Sequence, residues 1–148
     1  EIQAMVEDTR LEAQPIYELV SFNVMTGSHS QPVGSVELKR GATTLLQSSH
    51  GSGPIDALCR ALDKAVGIRP RLVQYSVDVL SEGKDARAEV TVSLAFVGRS
   101  FHGHAGSTDV IEASLLAYLD AVNMIEAHRA KVPVDEEFYI DGEQLWWE

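Results

Sequence analysis

Apolar and polar residues along this chain fall into one pattern that occurs twice. Residues 16–26 carry Tyr17, Leu19, Phe22 and Val24 among polar neighbours, a largely alternating arrangement that predicts a strand with one buried face. Gly27-Ser28-His29-Ser30 reads as a turn. Residues 31–39 set Val36 and Leu38 on one face and Glu37 and Lys39 on the other, a second strand. After Arg40-Gly41, the β-branched and apolar run 43–48 predicts a third strand. The pattern then becomes helical: Pro54 suits a first turn, where its missing N–H is harmless, and Gly67 is a natural stop. The same order returns as strands over 71–80, 86–97 and 100–105 and a helix ending near Arg129.

The residues repeat as well as the pattern. Ile55-Asp56-Ala57, Ala61 and Ala65-Val66 recur 56 positions later as Ile111-Glu112-Ala113, Ala117 and Ala121-Val122. Leu19 to Val24 matches Leu72 to Val77, and Ser35 to Leu38 resembles Glu89 to Val92. Two copies are too few for a solenoid. They predict an α+β fold of two βββα repeats related by a pseudo-twofold axis, with antiparallel sheets and two helices. In each helix the alanines lie four apart on one face, which suggests a close contact between the helices or with a partner subunit. Residues 1–15 read as a linker or helix from a preceding domain, 16–131 as the duplicated domain, and 132–148 as an acidic tail with Phe138, Tyr139, Trp146 and Trp147 as aromatic anchors.

Composition narrows the function. Of 148 residues 45% are apolar and 23% charged, as in an ordinary globular domain. A formal net charge of −10 argues against nucleic acid and anionic membrane as partners. The single Cys59 rules out an internal disulfide framework and fits a reducing, cytoplasmic setting. The chain starts at Glu1 without a methionine, which reads as part of a longer protein.

Catalytic chemistry is hard to find. His102 and His104 share a strand face and form the start of a metal site, with Asp109 and Glu112 as the nearest acids and no clear third ligand. Cys59 has no base beside it in the sequence. The helix starts are more suggestive. Each follows a Gly/Ser-rich loop, His50-Gly51-Ser52-Gly53 and Gly106-Ser107-Thr108-Asp109. Free N–H groups at a helix start attract a carboxylate. Asp56 and Glu112 in the first turns are available to an ammonium, and Leu72, Tyr75 and Val79 offer an apolar wall. Together these suit an α-amino acid.

Three stretches resemble the C-terminal regulatory domain of the 2-isopropylmalate synthase and citramalate synthase family. They are His50 to Ala57, Tyr75 to Val92 around Glu82-Gly83-Lys84-Asp85-Ala86, and Gly106 to Ser114 with Ala117-Tyr118-Leu119. The resemblance covers residues 16–129. It implies a homodimerising domain that binds an end-product amino acid between its two units and thereby inhibits a separate N-terminal (β/α)8 barrel. That barrel, with its divalent metal and acetyl-CoA, would be the acyltransferase; this chain would hold no catalytic residue, metal or cofactor of its own. Carried over by position, the implied effector contacts are Ile55, Asp56, Leu72, Tyr75, Val79, Ala86, Val110 and Glu112. Leucine is the expected effector, isoleucine the alternative if the parent is a citramalate synthase. A purely structural dimerisation module and a small enzyme using His102 and His104 are the competing readings.

Overall fold

Alternation of apolar residues becomes two antiparallel sheets, each backed by one helix. The computed structural model describes residues 15–80 and 86–131. In order, these are β1 (Glu18–Gly27), β2 (Ser30–Arg40), β3 (Thr43–His50), α1 (Pro54–Val66), β4 (Arg71–Val79), β5 (Ala88–Phe96), β6 (Arg99–Ser107) and α2 (Val110–Arg129). The sheets run β1-β2-β3 and β4-β5-β6. The βββα duplication expected from the sequence is therefore present. The linker or helix expected over 1–15 (but for its last residue), the turn at 82–85 and the aromatic tail lie outside the described residues.

Strand register refines the internal correspondence. Val36 stands opposite Phe22 and Gln47, while Val92 stands opposite Tyr75 and Gly103. Val36 thus corresponds to Val92, two positions beyond the match suggested by local similarity. A two-residue slip keeps every side chain on its face, so alternation alone does not expose it. The offset is 53 for the first strand and 56 from the second strand onward. The length change therefore falls at the first hairpin rather than being spread over several loops.

The core lies between the sheets and the helices that cover them. Val36 and Leu38 from one sheet and Val90, Val92, Leu94 and Phe96 from the other are almost fully buried. The helix α1 is amphipathic, with Ala57, Leu58, Ala61 and Leu62 inward. By contrast α2 is apolar on nearly every side, with Leu115, Ala117, Ala121, Val122 and Ile125 all buried, as a helix packed on two sides must be. The two units are also stitched by Asn123. Its side chain accepts from the Tyr17 N–H at 2.8 Å and donates to the Tyr17 carbonyl at 2.9 Å, joining α2 to the start of β1.

The alanine stripes meet the glycines of their own sheets. A Cβ at Gly34 would lie 2.7 Å from the backbone nitrogen of Leu58 and 2.9 Å from the carbonyl carbon of Ala57. One at Gly103 would lie on the Ala117 carbonyl oxygen and 2.5 Å from the Ala121 nitrogen. The small residues let each helix sink onto glycines of its own sheet. The two helices also touch each other, as the Tyr118 hydroxyl and Asp63 do at 2.9 Å, while Ala57, Ala117 and Ala121 pack on the sheets.

Coverage of the sheets is unequal. The helix α1 lies over β2 and β3, and α2 over β5 and β6; α2 scarcely reaches β4. Leu72, Tyr75, Val77 and Val79 point to the helix side of β4, opposite Leu94, Val92, Val90 and Ala88, yet are 38–66% exposed. Among the described residues no helix is long and apolar enough to cross a membrane.

Candidate functional site

Both helix starts satisfy themselves. The N-cap of α1 is Gly53, which has no side chain to offer, and Pro54 follows. Asp56 fills the gap: its carboxylate accepts from the Ser52 N–H at 2.8 Å, the Ser52 hydroxyl at 3.2 Å and the Arg60 Nε at 2.9 Å. Burial pushes this carboxyl up, but the Ser52 N–H and the Arg60 guanidinium outweigh it and hold it below the usual range. At α2 the cap is Asp109, which accepts from the Ile111 N–H at 3.0 Å. The Ser107 hydroxyl donates to Glu112 at 2.7 Å and accepts from the Asp109 N–H at 3.1 Å. Each unit thus uses a loop serine to hold the acid of its own first helical turn.

Beside α1, a cleft opens at the seam between the units. One wall is a stripe of α1 at helical spacing: Ile55 and Asp56, Cys59 and Arg60, then Asp63. The other wall is Arg69, Pro70, Leu72 and Tyr75, leading into and along β4, and Tyr118 of α2 completes the lining. Four clefts share a volume of about 370 Å³, so size does not choose among them. Of the four, this one has the most apolar lining and still presents several charged groups, the combination expected of a small-molecule site. Tyr75 joins the two helix starts: it faces Ile55 and Asp56 across the cleft, and its hydroxyl meets the Ser114 hydroxyl in α2 at 2.6 Å.

Of the eight residues implied by resemblance, Ile55, Asp56, Leu72 and Tyr75 come together in this lining. The other four do not line it. Val79 lies on the same open face of β4, paired with Ala88. Ala86 is half-buried just before β5. Val110 is 41% exposed at the first turn of α2, and Glu112 is engaged by Ser107.

The structure adds two polar residues that motif reasoning passed over. Asp63 is buried, and its Oδ1 accepts from the Tyr118 hydroxyl at 2.9 Å. Burial dominates and raises this carboxyl to about 8, against the lowering effects of Tyr118, Arg69 and Arg60. Tyr118 is raised too, by burial and then by Asp63. A signal was present: Asp63 continues the α1 stripe two turns beyond Asp56, and Tyr118 interrupts an alanine-rich helix. Cys59 is half-buried between them, its thiol pushed up by burial and by Asp63 and Asp56, so it is held protonated.

His102 and His104 lie on the face of β6 away from α2. The Nδ1 of His102 is 2.8 Å from the Ser93 hydroxyl, and the Nε2 of His104 is 3.0 Å from Glu89. Among the described residues no group of three His, Cys, Asp or Glu side chains is placed to hold a metal. His50, at the end of β3, is exposed.

Paired sheet-and-helix units, a cleft at their seam and an open apolar strand define a duplicated α+β module suited to association and regulation. The chain belongs to the LeuA allosteric (dimerisation) domain family, whose model matches residues 1–126. It is similar to the 2-isopropylmalate synthase of Sediminispirochaeta smaragdinae, at 39% identity over 113 residues, 76% of this chain and 22% of that protein. The 2-isopropylmalate synthases of a Picosynechococcus species (34% over 128 residues, 86% of this chain and 24% of that protein) and a Geobacillus species (38% over 122 residues, 80% and 23%) are also similar. The chain thus spans about a quarter of the length of these relatives.

Proposed function

We propose that this chain is the leucine-sensing, dimer-forming regulatory domain of a 2-isopropylmalate synthase-like acyltransferase acting in the cytoplasm. The observation that carries the reading is the seam cleft, where Ile55, Leu72 and Tyr75 form an apolar wall beside charged groups and Tyr75 bridges to the start of α2. A branched side chain packs on that wall; the charged groups receive the zwitterion. The ligand would regulate a separate catalytic domain, which condenses acetyl-CoA with a 2-oxo acid, by binding one conformation of the whole protein more tightly than another.

Calorimetry is the direct test. Leucine is expected to bind and to stabilise the chain by about 2.7 kcal/mol at a hundredfold excess over Kd. Isoleucine binding more tightly than leucine would move the parent enzyme to the citramalate branch. No heat and no thermal shift with either amino acid at millimolar concentration would leave a structural dimerisation module.

Dimerisation has its own surface in this proposal. The strand β4 is a sheet edge with Val73, Val77 and Val79 at 52%, 38% and 66% exposure, continued by Leu80 at 65%. Long apolar edges invite pairing with another chain, and a second copy supplies a self-complementary one. Val77→Asp combined with Val79→Asp is expected to shift the chain to monomers in sedimentation equilibrium; dimers of undiminished affinity would place the interface elsewhere.

A further inference from the structure

An amino-acid ligand must place an ammonium group, and the acids in the helix starts are poorly suited to receive it. The Asp56 carboxylate already takes Ser52 and Arg60, and Glu112 takes Ser107 outside the cleft lining. Asp63 differs in burial and in partners. It lines the cleft, is 9% exposed, and accepts one hydrogen bond, from Tyr118 to Oδ1. Among the described residues its Oδ2 accepts none. A buried carboxyl with an unused acceptor oxygen facing a cleft is a seat for a cationic donor, because the desolvation that disfavours its ionisation is offset once a positive charge is bound beside it.

We propose that Asp63, oriented by Tyr118, is the seat for the ammonium group of an α-amino-acid ligand in the seam cleft. This rests on the effector reading above and assigns its polar recognition. The ligand side chain then lies toward Leu72 and Tyr75, and its carboxylate lies toward the guanidinium groups of Arg60 and Arg69 in the same lining. The seat selects free amino acids and excludes ligands whose nitrogen is acylated or absent, because these leave the buried carboxyl without a cation.

Binding carries a proton balance. In the free domain Asp63 holds its proton below about pH 8. When the ammonium enters, the carboxyl ionises and the proton leaves to solvent. The groups around Asp63 are Tyr118 from α2, Asp56, Cys59 and Arg60 from α1, Arg69 from the connection to β4, and Lys64, whose ammonium donates to the Ser48 carbonyl. Of these, Tyr118 and Cys59 are held protonated, Asp56 is held ionised by Ser52 and Arg60, and the arginines stay charged, so Asp63 is the one expected to change state between pH 6 and 7.5.

The test titrates the 148-residue chain with leucine in buffers of different ionisation heat. The wild type is expected to release about one proton per leucine at pH 6.5 and to bind about tenfold more tightly per pH unit between pH 6 and 7.5. Asp63→Asn, which imitates the protonated carboxyl and so keeps the fold, is expected to bind at least about tenfold more weakly at pH 7.5 and without proton release. Tyr118→Phe removes a donor that favours ionisation and is expected to move the pH dependence upward. Wild-type binding with unchanged affinity and pH slope in Asp63→Asn overturns the ammonium seat and leaves the effector reading standing; absence of leucine binding by the wild type overturns both.

Discussion

Replacing Gly103 with alanine is expected to destabilise the domain by about 3 kcal/mol or more, a large fraction of the roughly 5–15 kcal/mol that an ordinary domain has. The added methyl has no place to go. It would fall on the Ala117 carbonyl oxygen, with the Ala121 nitrogen 2.5 Å away. Both atoms are helix backbone, so relief means lifting α2 off β6. That helix carries much of the core, and its Leu119, Val122 and Ile125 would lose contacts together. The contrast is Gly53→Ala. Nothing lies within 4 Å of a Cβ at that position, and the change there alters an N-cap, with an expected cost of about 1 kcal/mol or less. Urea unfolding of both variants measures the difference. Equal midpoints would mean that α2 does not sit on β6 as described.

Asp63→Asn is expected to change how stability depends on pH. The sign follows from proton binding. Asp63 ionises near pH 8 in the folded chain and near 3.8 when unfolded, so between these values the folded state holds a proton that the unfolded state has lost. Stability from this group is therefore fully present below about pH 4 and is lost as pH rises toward 8, at about 1.4 kcal/mol per unit. Asparagine has no such proton. The stability of the variant relative to the wild type is expected to rise by about 3 kcal/mol from pH 5 to pH 7. Comparing the two proteins at each pH cancels the changes that all other carboxylates contribute. Parallel pH profiles in chemical unfolding would show that Asp63 is ionised in the folded state. In that event the proton release argued for ligand binding would fail as well.

Much of the architecture was legible before any coordinates. Alternation in 16–26 and 31–39 gave strands because one face of each sheet is buried, and helical spacing after Pro54 gave α1 because its inner face is Ala57, Leu58, Ala61 and Leu62. Gly67 ends that helix in the left-handed conformation, at φ 92°, as a glycine C-cap should. Turn chemistry was legible for the same local reason: Gly41 and Gly98 adopt φ of 61° and 75° between strands. What local pattern did not fix was correspondence across the repeat. A slip of two residues leaves alternation intact, so local similarity pairs Val36 with Val90, whereas hydrogen-bonded register gives Val36 the place that Val92 holds in the second sheet.

The candidate site was legible in part. Motifs pointed to Ile55, Asp56, Leu72 and Tyr75, which share the cleft, because repeated loop and helix starts are written in contiguous residues. Asp63 carries no motif, and Tyr118 lies in a matched stretch with no role assigned to it. Their meaning comes from a contact across 55 residues and from burial, and neither is a property of a short segment.

By itself the sequence determined the order of elements, the duplication and the polarity of each strand face. These follow from side-chain period and from the backbone freedom of glycine and proline, which act within a few residues. Tertiary structure decided which small residues meet which glycines, which strand is left uncovered and which acid is buried. Those outcomes depend on how two helices of 13 and 20 residues settle over three-stranded sheets that they cover unequally, and on the water that their packing excludes.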